Sequence, residues 1–303
     1  MKTILVTGAT SFIGLHLLKA LLPMYRVFAI IRPDSPKKKL LPLHDNLMVH
    51  EVAMHDYANL KELLKLEKID CFIHLAWNGT RGVARNDEKI QAENLKYSQY
   101  ALESAVALEV DTFVSAGSQA EYGPWQKKEK LSETIIPDPN TAYGKMKLEF
   151  YKIACRICTI KKIRFLEPRF FSLYGPSDFS GTMIMSILND MLQNKPCKLT
   201  LGIQDWDFLY IDDAVLGLVK LLQDKKTHGI YNFGSGECHP LKFYIEKMYQ
   251  ITKSSSVLNY GAIPYPSTGM VNVNPDIEKL KSIGWKPEVT FEEGIKRILD
   301  CEF

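Results

Sequence analysis

Three residues of this chain have side chains and spacing suited to proton transfer: Ser118, Tyr143 and Lys147. Tyr143 and Lys147 belong to the segment YGKMK, and their i, i+4 spacing places the phenol and the amine on one face of a predicted helix. A neighbouring cation favours the ionised form of a phenol, so Lys147 is expected to lower the pKa of Tyr143. Ser118, which follows a predicted strand, would hydrogen-bond a substrate oxygen. The set predicts interconversion of a carbonyl and an alcohol.

The YxxxK pattern occurs a second time, from Tyr57 to Lys61. Ser118 precedes Tyr143 in the sequence. The residue that precedes Tyr57 by the same interval is Arg32, which has no hydroxyl group. Two matches are no surprise in a tyrosine-rich chain, and the pattern alone proves little. Ser118 therefore favours Tyr143 over Tyr57 as the catalytic residue.

The segment TGATSFIG (7–14) follows the apolar run Ile4–Val6 and resembles a nucleotide-binding glycine loop. Such a loop turns the N–H groups of a helix N-terminus toward a pyrophosphate. Ser11 occupies the middle position where a glycine is common, and it fits if its backbone angles are ordinary. The loop alone is equally compatible with a plain strand-to-helix turn. The predicted cofactor contacts are Gly8, Ser11, Phe12, Ile13 and Gly14, and the triad would then act beside a nicotinamide.

Arg32 lies at the end of the second predicted strand, where an NAD site would place an acidic residue on the ribose. An arginine there favours the 2′-phosphate of NADP, and Lys37–Lys39 would add positive charge. The alternative is an exposed arginine at a strand end. We therefore predict NADP as the cofactor, with NAD as the alternative.

The first half of the chain alternates short β-branched runs with longer helical patterns. This rhythm predicts a parallel sheet covered by helices, that is, a Rossmann-like, doubly wound α/β fold. The predicted strands are 3–6, 27–31, 47–51, 71–75, 112–116 and 163–166, and the predicted helices are 12–22, 57–65, 87–108 and 142–156.

After Pro168 the pattern changes to loops rich in Gly, Pro, Ser and Asp. We predict a Rossmann domain over residues 1–168 and a smaller substrate-binding lobe over 169–303, with about 208–234 rejoining the first domain. Helices are expected at 183–194 and 212–223, and strands at 198–201 and 229–233.

Composition narrows the class of protein. A net charge of +3 over 303 residues does not suggest nucleic-acid binding. No apolar run is long enough for a membrane span, and Met1-Lys2 leads directly into a predicted strand, so a cytoplasmic protein is expected. Cys155 and Cys158 form a CxxC pair, but no second pair completes a zinc site and the seven histidines show no ligand spacing, so no metal is predicted.

The chain resembles an extended short-chain dehydrogenase/reductase of the nucleotide-sugar epimerase/dehydratase family, from Thr3 nearly to its C-terminus. The stretches that carry the resemblance are TGATSFIG (7–14), IHLAW (73–77), VSAGSQAEYG (114–123), YGKMK (143–147), PRFFSLYGP (168–176), DFLYIDDA (207–214), YNFGSG (231–236) and IGWKP (283–287).

The resemblance implies further site residues. Leu75 and Ala76 would line the cofactor cleft, and Met54 would lie near the adenine. Asn94 would support the active site and Phe170 would approach the nicotinamide, although purely structural roles are the alternative for both. Ser172 and Trp206 are expected on the substrate side.

Departures from the family pattern limit the reaction. Dehydratases carry Asp-Glu after the catalytic hydroxyl residue, because eliminating water needs an acid and a base at neighbouring carbons. Gln119-Ala120 stand there in this chain, which argues against 4,6-dehydration. Trp206 and Pro266 occupy places where arginines usually hold the substrate diphosphate. Ala53 stands where an adenine-contacting Asp is frequent.

These observations predict an NADP-preferring oxidoreductase that acts at carbon 4 of a nucleotide-linked hexose. The favoured reaction is reduction of a 4-keto-6-deoxy sugar during surface-polysaccharide assembly. The alternatives are an NAD-dependent 4-epimerase and a non-catalytic NADP-binding protein. The resemblance also implies a homodimer through the helices near 87–108 and 142–157.

Overall fold

The computed structural model describes residues 1–64, 68–265 and 270–303. Its strands are β1 (Thr3–Thr7), β2 (Arg26–Ile31), β3 (Leu47–Glu51), β4 (Cys71–His74), β5 (Thr112–Ser115), β6 (Gly117–Ser118), β7 (Arg164–Phe170), β8 (Ser172–Tyr174), β9 (Cys197–Lys198), β10 (Asp205–Tyr210), β11 (Gly229–Phe233), β12 (Cys238–Pro240) and β13 (Leu258–Asn259).

The helices follow the same order. They are α1 (Phe12–Leu21), α2 (Leu60–Leu64), α3 (Glu88–Ala107), α4 (Ala142–Lys161), α5 (Met183–Leu192), α6 (Ile211–Gln223), α7 (Leu241–Thr252), α8 (Glu278–Lys281) and α9 (Phe291–Glu302). Short 3₁₀ helices cover Pro36–Leu40, Met54–Asn59, Gly82–Asn86 and Gln119–Glu121. None of the helices in the described ranges is long and apolar enough to cross a membrane.

The main sheet has the strand order β11-β7-β5-β4-β1-β2-β3, with the short β6 added on β7. The pairs from β3 through β7 are parallel. This confirms the predicted Rossmann-like fold. Strand β1 lies between β2 and β4, so the chain reverses its direction of winding there, and ligands of such sheets bind at the carboxyl ends of these strands.

The central strands β1, β4 and β5 form because most of their side chains are apolar on both faces. Leu5, Phe72 and Phe113, on β1, β4 and β5, are fully buried. The rings of Phe72 and Phe113 lie 5.6 Å apart and Phe113 is 6.3 Å from Phe150 of α4. This core fixes the carboxyl edge of the sheet and the start of α4, where Tyr143 lies.

Several boundaries differ from the predicted ones. Helix α4 continues to Lys161 and ends at Lys162, which adopts the left-handed φ of 56°. The predicted helix 57–65 is a 3₁₀ helix followed by α2, and Lys65 lies outside the described residues. The predicted strand 198–201 is β9, which is shorter and begins at Cys197.

Residues 1–123, 135–170 and 218–231 form one compact unit, and residues 124–134, 171–217 and 232–303 form a second. The boundaries differ most from the predicted ones in two segments. Residues 208–217 belong to the second unit, and so do residues 124–134. The latter segment joins that unit because the carbonyl of Trp125 accepts from Asn272 N–H and the N–H of Leu131 donates to Asn274.

The second unit has its own sheets and core. Its sheets have the orders β12-β10-β8 and β13-β9. An aromatic cluster fills its centre, with Tyr244 lying 5.0 Å from Phe208 and 4.7 Å from Phe291 between ring centroids. Its predicted role as the substrate-binding lobe stays a prediction.

Candidate active site

Ser118 ends β6 and begins a 3₁₀ turn that fixes its backbone. Its N–H donates to Glu121 Oε1 at 2.7 Å, and its hydroxyl oxygen accepts from Ala120 N–H at 3.2 Å. This reciprocal pairing is a capping box. The Ser118 side chain also forms a hydrogen bond with Tyr143. The structure therefore brings the predicted hydroxyl and phenol together.

Tyr143 and Lys147 lie on the first turns of α4, and both are buried. Thr141 is the N-cap of this helix, and its hydroxyl accepts from Gly144 N–H at 3.0 Å. Gly144 lets this turn approach the Ser118 turn, because a Cβ at that position would lie 2.3 Å from the Ala120 carbonyl oxygen. A side chain larger than hydrogen there would push Tyr143 away from Ser118.

The ammonium group of Lys147 is held in place by a backbone carbonyl and an aromatic ring. Its ammonium donates to the Ala116 carbonyl at 2.8 Å and lies 3.8 Å from the centroid of the Trp77 ring. Burial lowers the pKa of Lys147 to about 8, although Glu121 and Glu167 oppose this shift. The amine is thus fixed in position but has lost part of its preference for the charged form.

The pKa of Tyr143 differs from the sequence-based expectation. Burial raises it above the ordinary value, while the hydrogen bond from Ser118 and the charge of Arg85 lower it and Glu121 raises it further. The net shift is upward, whereas the sequence predicted a lowering by Lys147. With a pKa of about 8, the amine loses its charge before a buried phenol ionises.

Arg85 is a site residue that the sequence did not single out. Its guanidinium carbon lies 4.6 Å above the centroid of the Tyr143 ring, and its Nη1 donates to the Thr80 carbonyl at 3.1 Å. The only available signal was its place in the loop after β4, at the carboxyl edge of the sheet. That position did not distinguish it from Arg81.

The loop after β4 is anchored by α3. Asn94 accepts from Asn78 N–H and donates to the Asn78 carbonyl, both at 2.8 Å. The Trp77 indole donates to Gln91 at 2.8 Å and its ring meets the Tyr143 ring edge-on at 6.0 Å. Asn94 thus reaches the site through the loop backbone, a contact that fits the expected supporting role.

A buried ion cluster lies behind Ser118. Arg169 of β7 pairs with Glu121 at 2.9 Å and with Glu167 at 3.0 Å, and all three side chains are almost completely buried. Burial and the neighbouring Glu121 raise the pKa of Glu167 well above its usual range. Because Glu121 also accepts from Ser118 N–H, the cluster holds the Ser118 turn in place.

The glycine loop has the close approaches that a dinucleotide site needs. Gly8 has a φ of +69°, and a Cβ there would lie 2.7 Å from Ala76 N. A Cβ on Gly14 would lie 2.5 Å from the Gly8 carbonyl oxygen. Ser11 has an ordinary φ of −72° and is the N-cap of α1, its hydroxyl oxygen accepting from Gly14 N–H at 3.0 Å. A serine therefore fits this position, while Phe12 and Ile13 are partly exposed on the first turn.

The next predicted cofactor residues lie beside that loop. Leu75 and Ala76 follow β4, both 8% exposed, and Leu75 N–H donates to the Thr7 carbonyl at 3.2 Å. Met54 begins a 3₁₀ helix, and its sulfur is 3.6 Å from the Asn78 side-chain nitrogen. The carboxyl edge of the sheet is therefore continuous here, and it is formed by the loops after β1 and β4 and by the start of this 3₁₀ helix.

Arg32 follows β2 directly and is exposed. Nearby, Lys38 pairs with Glu51 at 2.6 Å, and Glu51 also accepts weakly from Asp34 N–H at 3.4 Å. The lysine run therefore contributes less free positive charge than the sequence suggested, because a carboxylate at the end of β3 neutralises Lys38.

The remaining candidates fall in different places. Phe170 ends β7, is 7% exposed and lies opposite Ser118 in the strand register. Ser172 and Trp206 belong to the second unit, where Ser172 pairs with Phe208. The Trp206 indole nitrogen is buried without a hydrogen-bond partner among the described residues. Pro266 lies outside those residues.

These features fit a bound dinucleotide. The close backbone approaches at Gly8 and Gly14 and the N-terminus of α1 would hold its pyrophosphate, and Leu75, Ala76 and Met54 would line its path. No cluster of three or more His, Cys, Asp or Glu residues suited to a metal occurs in the described part of the chain.

The chain belongs to the NAD-dependent epimerase/dehydratase family, whose model matches residues 4–234. This confirms the resemblance. The chain is 27% identical to a CDP-abequose synthase from Salmonella muenchen, covering 99% of this chain and 98% of that protein. It is 31% identical to an uncharacterised UDP-glucose epimerase, YtcB, from Bacillus subtilis, with 96% and 95% covered.

Solved structures share the fold. A UDP-glucuronic acid 4-epimerase from Bacillus cereus in complex with NAD superposes with a TM-score of 0.85 at 28% identity, covering 98% of this chain and 97% of that one. A UDP-glucose 4-epimerase from Thermus thermophilus gives a TM-score of 0.87 at 22% identity, with 98% of each chain covered, a likeness of fold alone.

Proposed function

We propose that this protein is an NADP-preferring oxidoreductase that reduces the 4-keto group of a nucleotide-linked 6-deoxyhexose. The observation that carries the proposal is the arrangement of Ser118, Tyr143 and Lys147 in the first unit, in a chain of this family. Its similarity to a CDP-abequose synthase over nearly its whole length supports an enzyme that handles nucleotide sugars.

The residues divide the reaction between them. The dinucleotide, when bound, supplies the hydride. Ser118 donates a hydrogen bond to the carbonyl oxygen and directs it toward Tyr143, which gives that oxygen its proton. Lys147, held by the Ala116 carbonyl, holds the cofactor ribose. Gln119 and Ala120, next to Ser118, offer no acid and base for eliminating water, which disfavours dehydration.

The second candidate is a nucleotide-sugar 4-epimerase using NAD. Two observations favour it: the 31% identity to a protein named as a UDP-glucose epimerase, and the likeness to a 4-epimerase solved with NAD. The same triad would take the proton of the 4-hydroxyl group as the hydride on carbon 4 leaves for the cofactor. It would return that proton after the keto sugar has turned and received the hydride on its opposite face. A homodimer, a cytoplasmic location and a role in polysaccharide assembly stay predictions.

The experiment is to incubate the purified protein with NADPH or NADH and a panel of 4-keto-6-deoxy nucleotide sugars. Net oxidation of the reduced cofactor with formation of the 4-hydroxy sugar supports the reductase. Interconversion of two 4-epimeric nucleotide sugars without net cofactor consumption would replace it by the epimerase. If neither reaction occurs while the cofactor still binds, the protein is a binding protein and the proposal is wrong.

A further inference from the structure

Arg85 is placed against the reacting phenol by contacts on both of its sides. Its neighbour Ala84 accepts a hydrogen bond from the Gln91 amide of α3 at 2.8 Å. Its other neighbour, Asn86, accepts from the N–H of Ala142, the residue before Tyr143, at 3.3 Å. The arginine itself donates to the Thr80 carbonyl. The segment 84–86 is therefore tied to α3 and to the start of α4, and Arg85 is no freely moving surface side chain.

The geometry is that of a cation over an aromatic face. The guanidinium carbon lies 4.6 Å from the centroid of the Tyr143 ring, within the range where a cation and a ring attract each other. Such a cation binds a phenolate more strongly than a neutral phenol, because the ring then carries a full negative charge.

Four polar groups lie near Tyr143, and three of them, Ser118, Arg85 and Glu121, shift the pKa of its phenol. Ser118 and Glu121 face it from the turn after β6, Lys147 lies on its own helix, and Arg85 faces it from the loop after β4. Glu121 disfavours the phenolate. Lys147 is engaged with Ala116 and Trp77. A guanidinium stays charged at every pH at which proteins fold, whereas a buried lysine does not.

We infer that Arg85 is a positioning residue whose permanent positive charge stabilises the phenolate of Tyr143 as its proton leaves. The inference rests on the proposed function, since it concerns the same proton transfer. The O–H bond of Tyr143 breaks, its proton goes to the oxygen of the carbonyl group whose carbon receives the hydride, and the remaining negative charge lies beneath the guanidinium. Lys147 then serves mainly to hold the cofactor and the Ala116 backbone.

The test replaces Tyr143 alone by a fluorinated tyrosine, whose ionisation is followed by fluorine NMR without any substrate. In the Arg85→Met variant the pKa of this phenol should rise by about 1 pH unit or more, the usual effect of losing an opposite charge at this distance. Arg85→Lys should give a smaller rise. Arg26→Met is the matched control, because Arg26 also lies over an aromatic ring, 5.4 Å from the centroid of Phe28, at the far end of β2.

The control should leave the pKa unchanged. An unchanged pKa in folded Arg85→Met would overturn the inference, and so would a rise seen only in Lys147→Met. In turnover, Arg85→Met should lower kcat by up to about 10-fold for each pH unit by which the phenol pKa rises, with little change in the KM for the cofactor. Loss of the proposed function has a different signature, namely turnover that survives Tyr143→Phe, and it would leave the NMR result intact.

Discussion

Charged residues gather at both ends of the carboxyl edge of the main sheet, but their surroundings differ. At the β2–β3 end, Arg32 is exposed and the side chains of Lys38 and Glu51 are 58% and 36% exposed. At the β6–β7 end, Glu121, Glu167 and Arg169 are almost completely buried, and Lys147 is 5% exposed. The same residue types therefore act in water at one end and in the protein interior at the other.

Because they differ in burial, the two ends are suited to different roles. Exposed ion pairs contribute little to stability and are screened by salt, so the β2–β3 end can distinguish ligands by charge at little cost to the fold. Burial shifts pKa values strongly, as it does for Lys147 and Glu167. We therefore expect activity and stability to depend on the protonation of groups at the β6–β7 end.

The largest expected effect is at the buried end. Tyr143→Phe keeps the ring but removes the proton, so turnover should fall by about 100-fold to 10,000-fold while the cofactor still binds. Tyr57→Phe is the matched control, since Tyr57 belongs to the other YxxxK segment and is also buried, at 2% exposure. Steady-state rates with the natural substrate, and cofactor affinity measured separately, check this.

Near-normal turnover in Tyr143→Phe would show that Tyr143 does not transfer the proton, and it would refute both the reductase and the epimerase proposals. A comparable loss in Tyr57→Phe would show that the first variant acts through packing.

The next largest expected effect is on the pH dependence of the free energy of unfolding. His74 ends β4 completely buried, with its ring nitrogens 2.8 Å from the Thr7 hydroxyl and 2.9 Å from the Ser98 hydroxyl. Burial and the charge of Lys147 lower its pKa from 6.5 to about 3. Because the unfolded chain takes up this proton and the folded chain does not, stability is lost as the pH falls from 6.5 toward about 3.

This histidine should account for a loss of roughly 4 kcal/mol over that range. Chemical denaturation at several pH values should show a shallower acid loss in His74→Gln than in the wild type. Glu51→Gln, at the exposed end, should leave the unfolding free energy nearly unchanged. If both variants gave the wild-type pH dependence, the contrast in burial would have no consequence for stability.

Spacing and hydrophobic pattern were enough to predict the fold and to single out Ser118, Tyr143 and Lys147 as candidates. The parallel sheet follows from repeated βα units, and Tyr143 and Lys147 share one face of α4 because the helix includes both residues. The extension of α4 to Lys161 was missed, since buried Cys158 continues its apolar face past the point where the pattern weakens.

The electrostatics of the site could not be predicted in this way. Spacing shows that Lys147 is near Tyr143, but the pKa of each depends on burial, and burial depends on Trp77 and the loop after β4. Arg85 reaches Tyr143 only because Gln91 and Asn94 fix that loop, and no periodic pattern records such contacts.

The smallest expected effect belongs to the exposed end and tests the cofactor preference. If Arg32 binds the 2′-phosphate of NADP, Arg32→Ala should weaken NADPH much more than NADH, by about 1.5 to 3 kcal/mol for a charge-assisted contact. Arg26→Ala is a fitting control, because Arg26 begins the same strand that Arg32 follows. Both affinities can be measured by fluorescence titration at low and high salt, and the loss of NADPH affinity should shrink as salt rises, since Arg32 is exposed. Equal losses for the two cofactors would remove Arg32 from phosphate recognition. A wild-type preference for NADH would do the same, and it would shift the balance toward the NAD-dependent epimerase, because the charge at this end would then have no phosphate to recognise.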